Sequence, residues 1–194
     1  MIFLVPFFLL QACDDDQNGN ELIGEHTYTF DQNLENWNVH GIDLVVDGNE
    51  VNWHIQHSPD TSYEGEGSAR FYLENYTDAG KIWLERSYDL EANSKYKVEI
   101  VFQFGTLDFG DINLWTIIAG AYPSSPENRD ALHYRDDTGG SPARDSLAWI
   151  PKSYQEEVET NSSGKIFVTV GVWGTWETPR TYYMDNLEVR IRKK

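Results

Sequence analysis

Between Gly171 and Arg180 the chain reads Gly-Val-Trp-Gly-Thr-Trp-Glu-Thr-Pro-Arg, which brings two tryptophans, a carboxylate and a guanidinium into one short stretch. Flat rings beside hydrogen-bonding groups suit a sugar, whose ring has apolar C–H faces edged by hydroxyls; ligand pockets mix both kinds of surface. Two further tryptophans fall out of phase with the apolar residues around them. If Ile82 and Leu84 face a core, Trp83 and Glu85 face out; if Leu114, Thr116 and Ile118 face in, Trp115 faces out. Trp173 lies opposite a row of valines. The expected platform is Trp83, Trp115, Trp173 and Trp176, with Glu85, Gln103 and Arg180 as its polar partners. The alternative is that these rings are covered by a long loop or pack at the rims of the fold.

The competing chemistry is glycoside hydrolysis, which needs two carboxylates about 5–9.5 Å apart. Glu85 and Glu99 both fall on outward positions, and Glu177 sits beside Trp176. Yet 32 acidic residues in 194 make such pairs by chance, and no compact E-x-D-x-x-E pattern occurs. His54 and His57 are three apart on a strand-like stretch and so point to opposite faces, which is poor geometry for zinc. Ser68 and Ser146 lack the strand–turn–helix context of a nucleophile elbow. No catalytic residue is assigned, and the expectation is a protein that binds without reacting.

Composition narrows the partners. The formal charge is −17, from 32 acidic against 15 basic residues, and a surface of that sign repels phosphate backbones. Nucleic acid is excluded as a partner. Aromatic residues make up 14% of the chain, with seven Trp and eleven Tyr, more than a core alone requires.

The elements that must position these residues are strands. Tyr96, Val98, Ile100, Phe102 and Phe104 alternate with more polar neighbours; so do Ala69, Phe71 and Leu73; Ile166, Val168, Val170 and Val172; and Leu187, Val189 and Ile191. Further strands are expected at 26–31, 50–56, 81–88, 112–121 and 154–160. Turn residues separate them at Asp47-Gly48-Asn49, Glu64-Gly65-Glu66-Gly67, Glu91-Ala92-Asn93-Ser94 and Asn161-Ser162-Ser163-Gly164. No helical periodicity and no internal repeat is found. Many short strands with regular turns mean an all-β sandwich or barrel. The stretch from Pro123 to Leu147, rich in Pro, Ser, Asp and Gly, reads as a long loop over one rim.

Four motifs then fall in a familiar order. They are Tyr28-Thr29-Phe30-Asp31 with Trp37, Tyr63 to Arg70 around Gly65-Glu66-Gly67-Ser68, Tyr88 to Val98, and Tyr183-Met184-Asp185-Asn186-Leu187-Glu188-Val189. Together they resemble a galactose-binding-like jelly roll of the carbohydrate-binding-module type, over about residues 26–192. The resemblance implies a jelly-roll β-sandwich of two antiparallel sheets that binds a polysaccharide on an aromatic face. It also implies a structural calcium ion joining the first strand to the last, on Asp31 and Asp185 with Glu66 as a further candidate. The fold hosts protein-binding domains as well, so an adhesion or structural module with a protein partner at the cell surface stays the alternative.

The N-terminus fixes the expected location. Ile2 to Leu10 is apolar and too short to cross a bilayer, which takes about 20 helical residues, but suits the core of a secretory signal. Leu10-Gln11-Ala12-Cys13 resembles the lipobox of bacterial lipoproteins, and Cys13 is the single cysteine of the chain. The acidic run from Asp14 resembles the surface-export tethers of Bacteroidetes lipoproteins. The expected organisation is a signal peptide at 1–12, a disordered acidic tether at 13–24 beginning with a lipidated Cys13, and one β-sandwich domain at 25–194. The protein would be held at the bacterial outer membrane or cell surface by its lipid anchor, and two acyl chains would make that attachment stable.

Overall fold

A computed structural model of the chain describes residues 20–107, 115–137, 146–174 and 179–194. Cys13, the signal segment, Trp176 and Glu177 lie outside the described residues.

Among the described residues, two antiparallel sheets face one another. The first has the order β11 (Ala148–Glu159), β8 (Lys95–Thr106), β13 (Pro179–Lys193), β6 (Ser68–Glu74) and β5 (Trp53–Ser58), and β1 (Glu21–Tyr28) pairs with the C-terminal half of β13. The second has the order β10 (Tyr134–Asp137), β9 (Thr116–Tyr122), β12 (Lys165–Trp173), β7 (Lys81–Asp89) and β2 (Asn38–Ile42). A short hairpin, β3 (Val45–Val46) with β4 (Asn49–Glu50), stands apart. From β6 onward the chain crosses between the sheets at almost every connection, β6 to β7 to β8 to β9 and β11 to β12 to β13. That alternation is a jelly roll.

The period of two explains the core. Phe71 and Leu73, Ile82 and Leu84, Val98 to Phe104 on alternate positions, Val168, Val170 and Val172 all face inward and are fully buried. Strand β13 changes phase along its length. Tyr182 and Met184 face in before a bulge at Asp185–Glu188, and Leu187, Val189 and Ile191 face in after it. Asn186 takes the positive φ of 47° that the extra residue requires.

Two expectations are corrected. Strand β1 begins at Glu21, inside the segment read as tether, because its register with β13 runs from Glu21 opposite Lys193. Part of the long loop is also sheet: Tyr134–Asp137 pairs with β9, and β11 starts at Ala148 rather than 154. On β11 two of the inward positions are Lys152 and Glu156, so the strand carries no apolar alternation to read.

Candidate functional site

The expected tryptophan platform does not form on one face. Trp83 does point away from the main core, but its ring is only 1% exposed. It is stacked against His40, with centroids 5.5 Å apart, and packed with Ile118 and Leu132. Leu132 belongs to the segment following β9, which folds back over the outer side of the second sheet. Ser125 of the same segment donates to Glu85 Oε2 at 2.8 Å, and Glu85 is 5% exposed. This face is therefore covered by the chain itself, as the alternative reading had it.

Trp115 is a correction. It is also 1% exposed and lies inside the main core, edge-on to Phe104 at 4.7 Å, with Lys152 Nζ 5.1 Å from its ring centre. Ile117, Ala119 and Ala121 share its side, whereas Ile118 packs against Trp83. Both faces of β9 are buried, so alternation could not say which one met the core. Trp173 does share the outer face with Trp83 and is half-buried. Its Nε1 donates to the Asp78 carbonyl, Lys81 Nζ sits 5.0 Å over its ring, and Tyr134 meets it edge-on at 5.5 Å. Arg180 pairs with Leu73 and shares the core side of β13 with Tyr182. Gln103 lies on the opposite face of the sandwich, between Pro151 and Asp185 on the first sheet.

The carboxylates separate in the same way. Glu85 is on the outer face of the second sheet, and Glu99 is on the outer face of the first, where Arg190 Nη1 donates to it at 3.3 Å. The thickness of the sandwich lies between them, so they cannot flank one glycosidic bond.

The outer face of the first sheet carries what the platform lacks. One cross-strand row runs Trp149, Gly105, Tyr183, Arg70, Gln56 over five neighbouring strands. The Trp149 indole lies across Gly105, where a Cβ would come within 2.9–3.1 Å of the ring. Trp149 and Tyr183 are half-buried, with centroids 6.3 Å apart. Tyr63, 49% exposed, meets Trp149 edge-on at 5.9 Å and forms a wall beside the row. On the next row His54 stacks on Tyr72 at 5.0 Å. Tyr72 donates to Glu74 Oε1 at 2.6 Å, and the half-exposed Tyr76 donates to Oε2 at 3.0 Å. Arg70 and Tyr72 alternate with Ala69, Phe71 and Leu73, a sign readable from sequence. Trp149 gave none, because it stood between the segment read as loop and the strand expected from 154.

Tyr63 is held in place by the residues expected to bind calcium. Asp185 Oδ2 accepts from the backbone N–H of Tyr63 at 2.8 Å and of Glu64 at 3.2 Å, and Oδ1 accepts from Asn186 N–H at 2.7 Å. Asp31 Oδ1 accepts from Glu66 N–H at 2.6 Å, and Oδ2 from the Thr29 hydroxyl at 2.9 Å. Gly65, at a φ of 72°, lets the turn approach Asp31, where a Cβ would lie 2.2 Å from Oδ1. The Glu66 N–H and the Thr29 hydroxyl hold the Asp31 carboxyl below its usual range. Burial pushes Asp185 up, against the pull of its three N–H donors. A calcium ion wants six to eight oxygens. Every carboxylate oxygen here already receives a donor, Glu66 contributes its backbone with its side chain exposed, and among the described residues no three acidic, His or Cys side chains converge. The residues present do not fit a chelating set; they fit a turn anchor.

No family model matches the sequence, and no curated protein is similar to it. Among solved structures, the chain is similar to the CBM22-1 xylan-binding domain of Xyn10C from Paenibacillus barcinonensis. Identity is 12%, the match covers 89% of this chain and 95% of that one, and the TM-score is 0.44. It is similar to the K3 cleaved adhesin domain of Lys-gingipain from Porphyromonas gingivalis at 11% identity, over 86% and 99% of the chains, with a TM-score of 0.49. A family 35 carbohydrate-binding module from Clostridium thermocellum follows at 12% identity, over 86% and 97%, with a TM-score of 0.42. The solved structures similar to this chain thus include the class that its four motifs resemble, and at these identities no residue is carried across from any of them.

Proposed function

We propose that the protein is a non-catalytic glycan-binding module, displayed at a bacterial cell surface by a lipid on Cys13, and that it holds a polysaccharide on the outer face of its first sheet. The observation that carries this reading is the row of Trp149 and Tyr183 with the exposed Tyr63 standing beside it, a face that the described residues leave partly uncovered. Arg70 and Gln56 continue the row beyond the rings, and Gln103 lies two residues before Gly105 on β8, so hydrogen-bonding groups border the apolar surface as a pyranose requires. A protein-docking surface would be more continuously apolar at its centre. The separation of Glu85 from Glu99 supports binding without hydrolysis.

Screening the soluble domain against a glycan array, followed by titration of any hit, tests the reading. A stacked ring contributes about 0.5–1.5 kcal/mol beyond its buried area. Trp149→Ala and Tyr183→Ala are therefore each expected to weaken binding several-fold while lowering the melting temperature less than truncation of a core ring, since both rings lie on the outer face and outside the core. Binding lost in Trp173→Ala and kept in Trp149→Ala would move the site to the second sheet. A domain that binds no glycan would hand the same face to a protein partner.

The anchor has its own test. Expressed in a bacterium, the full chain is expected to partition into detergent with an acylated Cys13, and Cys13→Ala to release it. An unmodified thiol by intact mass overturns the location.

A further inference from the structure

We infer that the sugar held on the first-sheet face is anionic, and that Arg70 receives its carboxylate or sulfate. This rests on the glycan-binding reading of that face and adds to it a class of ligand.

In a chain with 32 acidic and 15 basic residues, basic side chains have carboxylates to choose from. Many have found one: Lys81 pairs with Asp43, Arg135 with Glu156, and Arg190 with Glu25, Glu99 and Glu188. Arg70 has not. Among the described residues it makes neither an ion pair nor a hydrogen bond, and its Nε is buried without a partner. Its one recorded contact of this kind is with a ring, the guanidinium carbon lying 5.8 Å from the centre of Tyr72.

The neighbouring carboxylates are committed elsewhere. Glu74 accepts from the hydroxyls of Tyr72 and Tyr76 and from the Asn52 amide. Asp185 is closed off by three backbone N–H groups. Burial, and then the charge of Arg70, hold the neighbouring His54 below the usual histidine range. Lys97 and Arg192 share this face toward its other end, but among the described residues Arg70 is the cation on the row of Trp149 and Tyr183, next to Tyr183 in register. A guanidinium in this state presents a planar fork that matches a carboxylate or a sulfate with paired donors. A sugar stacked along Trp149 and Tyr183 would bring one acidic substituent to it, a single local contact rather than the continuous run of phosphates that the net charge of −17 repels.

The test compares polysaccharides of one backbone with and without charge: polygalacturonate against its methyl ester, and a sulfated galactan against the desulfated, neutral chain. Affinity is read by titration at low and high salt. The wild type is expected to favour one acidic form by about tenfold or more, the scale of a charge-assisted hydrogen bond, and to lose that margin in high salt. Arg70→Gln should abolish the preference, weakening the acidic chain far more than the uncharged backbone. Arg70→Lys should restore part of it, because the charge returns without the fork, and it serves if the glutamine variant folds poorly. Equal affinity for charged and uncharged chains, unchanged by Arg70→Gln, overturns the inference and leaves the glycan-binding reading standing. Absence of binding to any of these chains and to the array removes both.

Discussion

Trp115→Ala is expected to destabilise the domain by about 3–5 kcal/mol, the range for removing a large aromatic from a core. For a domain of this size that lowers the melting temperature by about 10 °C or more. The reason is position. The ring fills the space beside Phe104 and lies beneath the ammonium of Lys152, which itself pairs with Asp136. Truncation would open a cavity and strip a half-committed charge of its aromatic contact. Thermal melting of the variant checks this. The folded fraction should bind sugar as the wild type does, because Trp115 reaches no open face. A loss of stability below about 1 kcal/mol, within the usual range of surface substitutions, would return the ring to the surface.

Asp185→Ala is expected to cost about 2–4 kcal/mol, since hydrogen bonds to a charged group are worth about 1.5–3 kcal/mol each and water repairs part of the loss. Removing the carboxylate frees the N–H groups of Tyr63 and Glu64 together and leaves the turn attached through Asp31. Tyr63 would then no longer stand beside Trp149, so the variant should also bind sugar less tightly than its stability alone explains. Asp185→Asn, which keeps one acceptor oxygen, should fall between. The melting temperature of the wild type is expected to be the same in calcium and in EDTA. If EDTA lowers it, and Asp185→Ala removes that difference, the carboxylate holds an ion rather than the turn.

The sandwich was legible because most of its strands have one buried face. β6, β8 and β12 alternate cleanly, and each of them faces the core as read. Where both faces are buried, alternation loses its meaning. Ile117 and Ile118 on β9 are equally buried, one in the main core and one beside Trp83, and the phase of Trp115 could not be taken from them. Where the inward face is polar, alternation disappears. Lys152 and Glu156 face inward on β11 because Asp136, Arg135 and His133 answer them from β10 and the segment before it, a pairing across sheets that no local pattern records. The site failed to emerge for the same reason. Its floor is made of residues from five strands, joined by register rather than by spacing, and the tryptophan at its edge stood before the strand expected from 154, in a stretch with no assigned element.

One consequence concerns reach. Strand β1 lies against the last strand with Glu21 opposite Lys193, so whatever precedes Glu21 leaves the domain at that end of β13. The aromatic row crosses β13 at Tyr183, near its other end. At about 3.3 Å per residue, the stretch from Tyr183 to Lys193 measures roughly 30 Å. A chain tethered through its N-terminus would therefore carry Trp149 and Arg70 at the far end of the domain, a full strand's length out from the point of attachment.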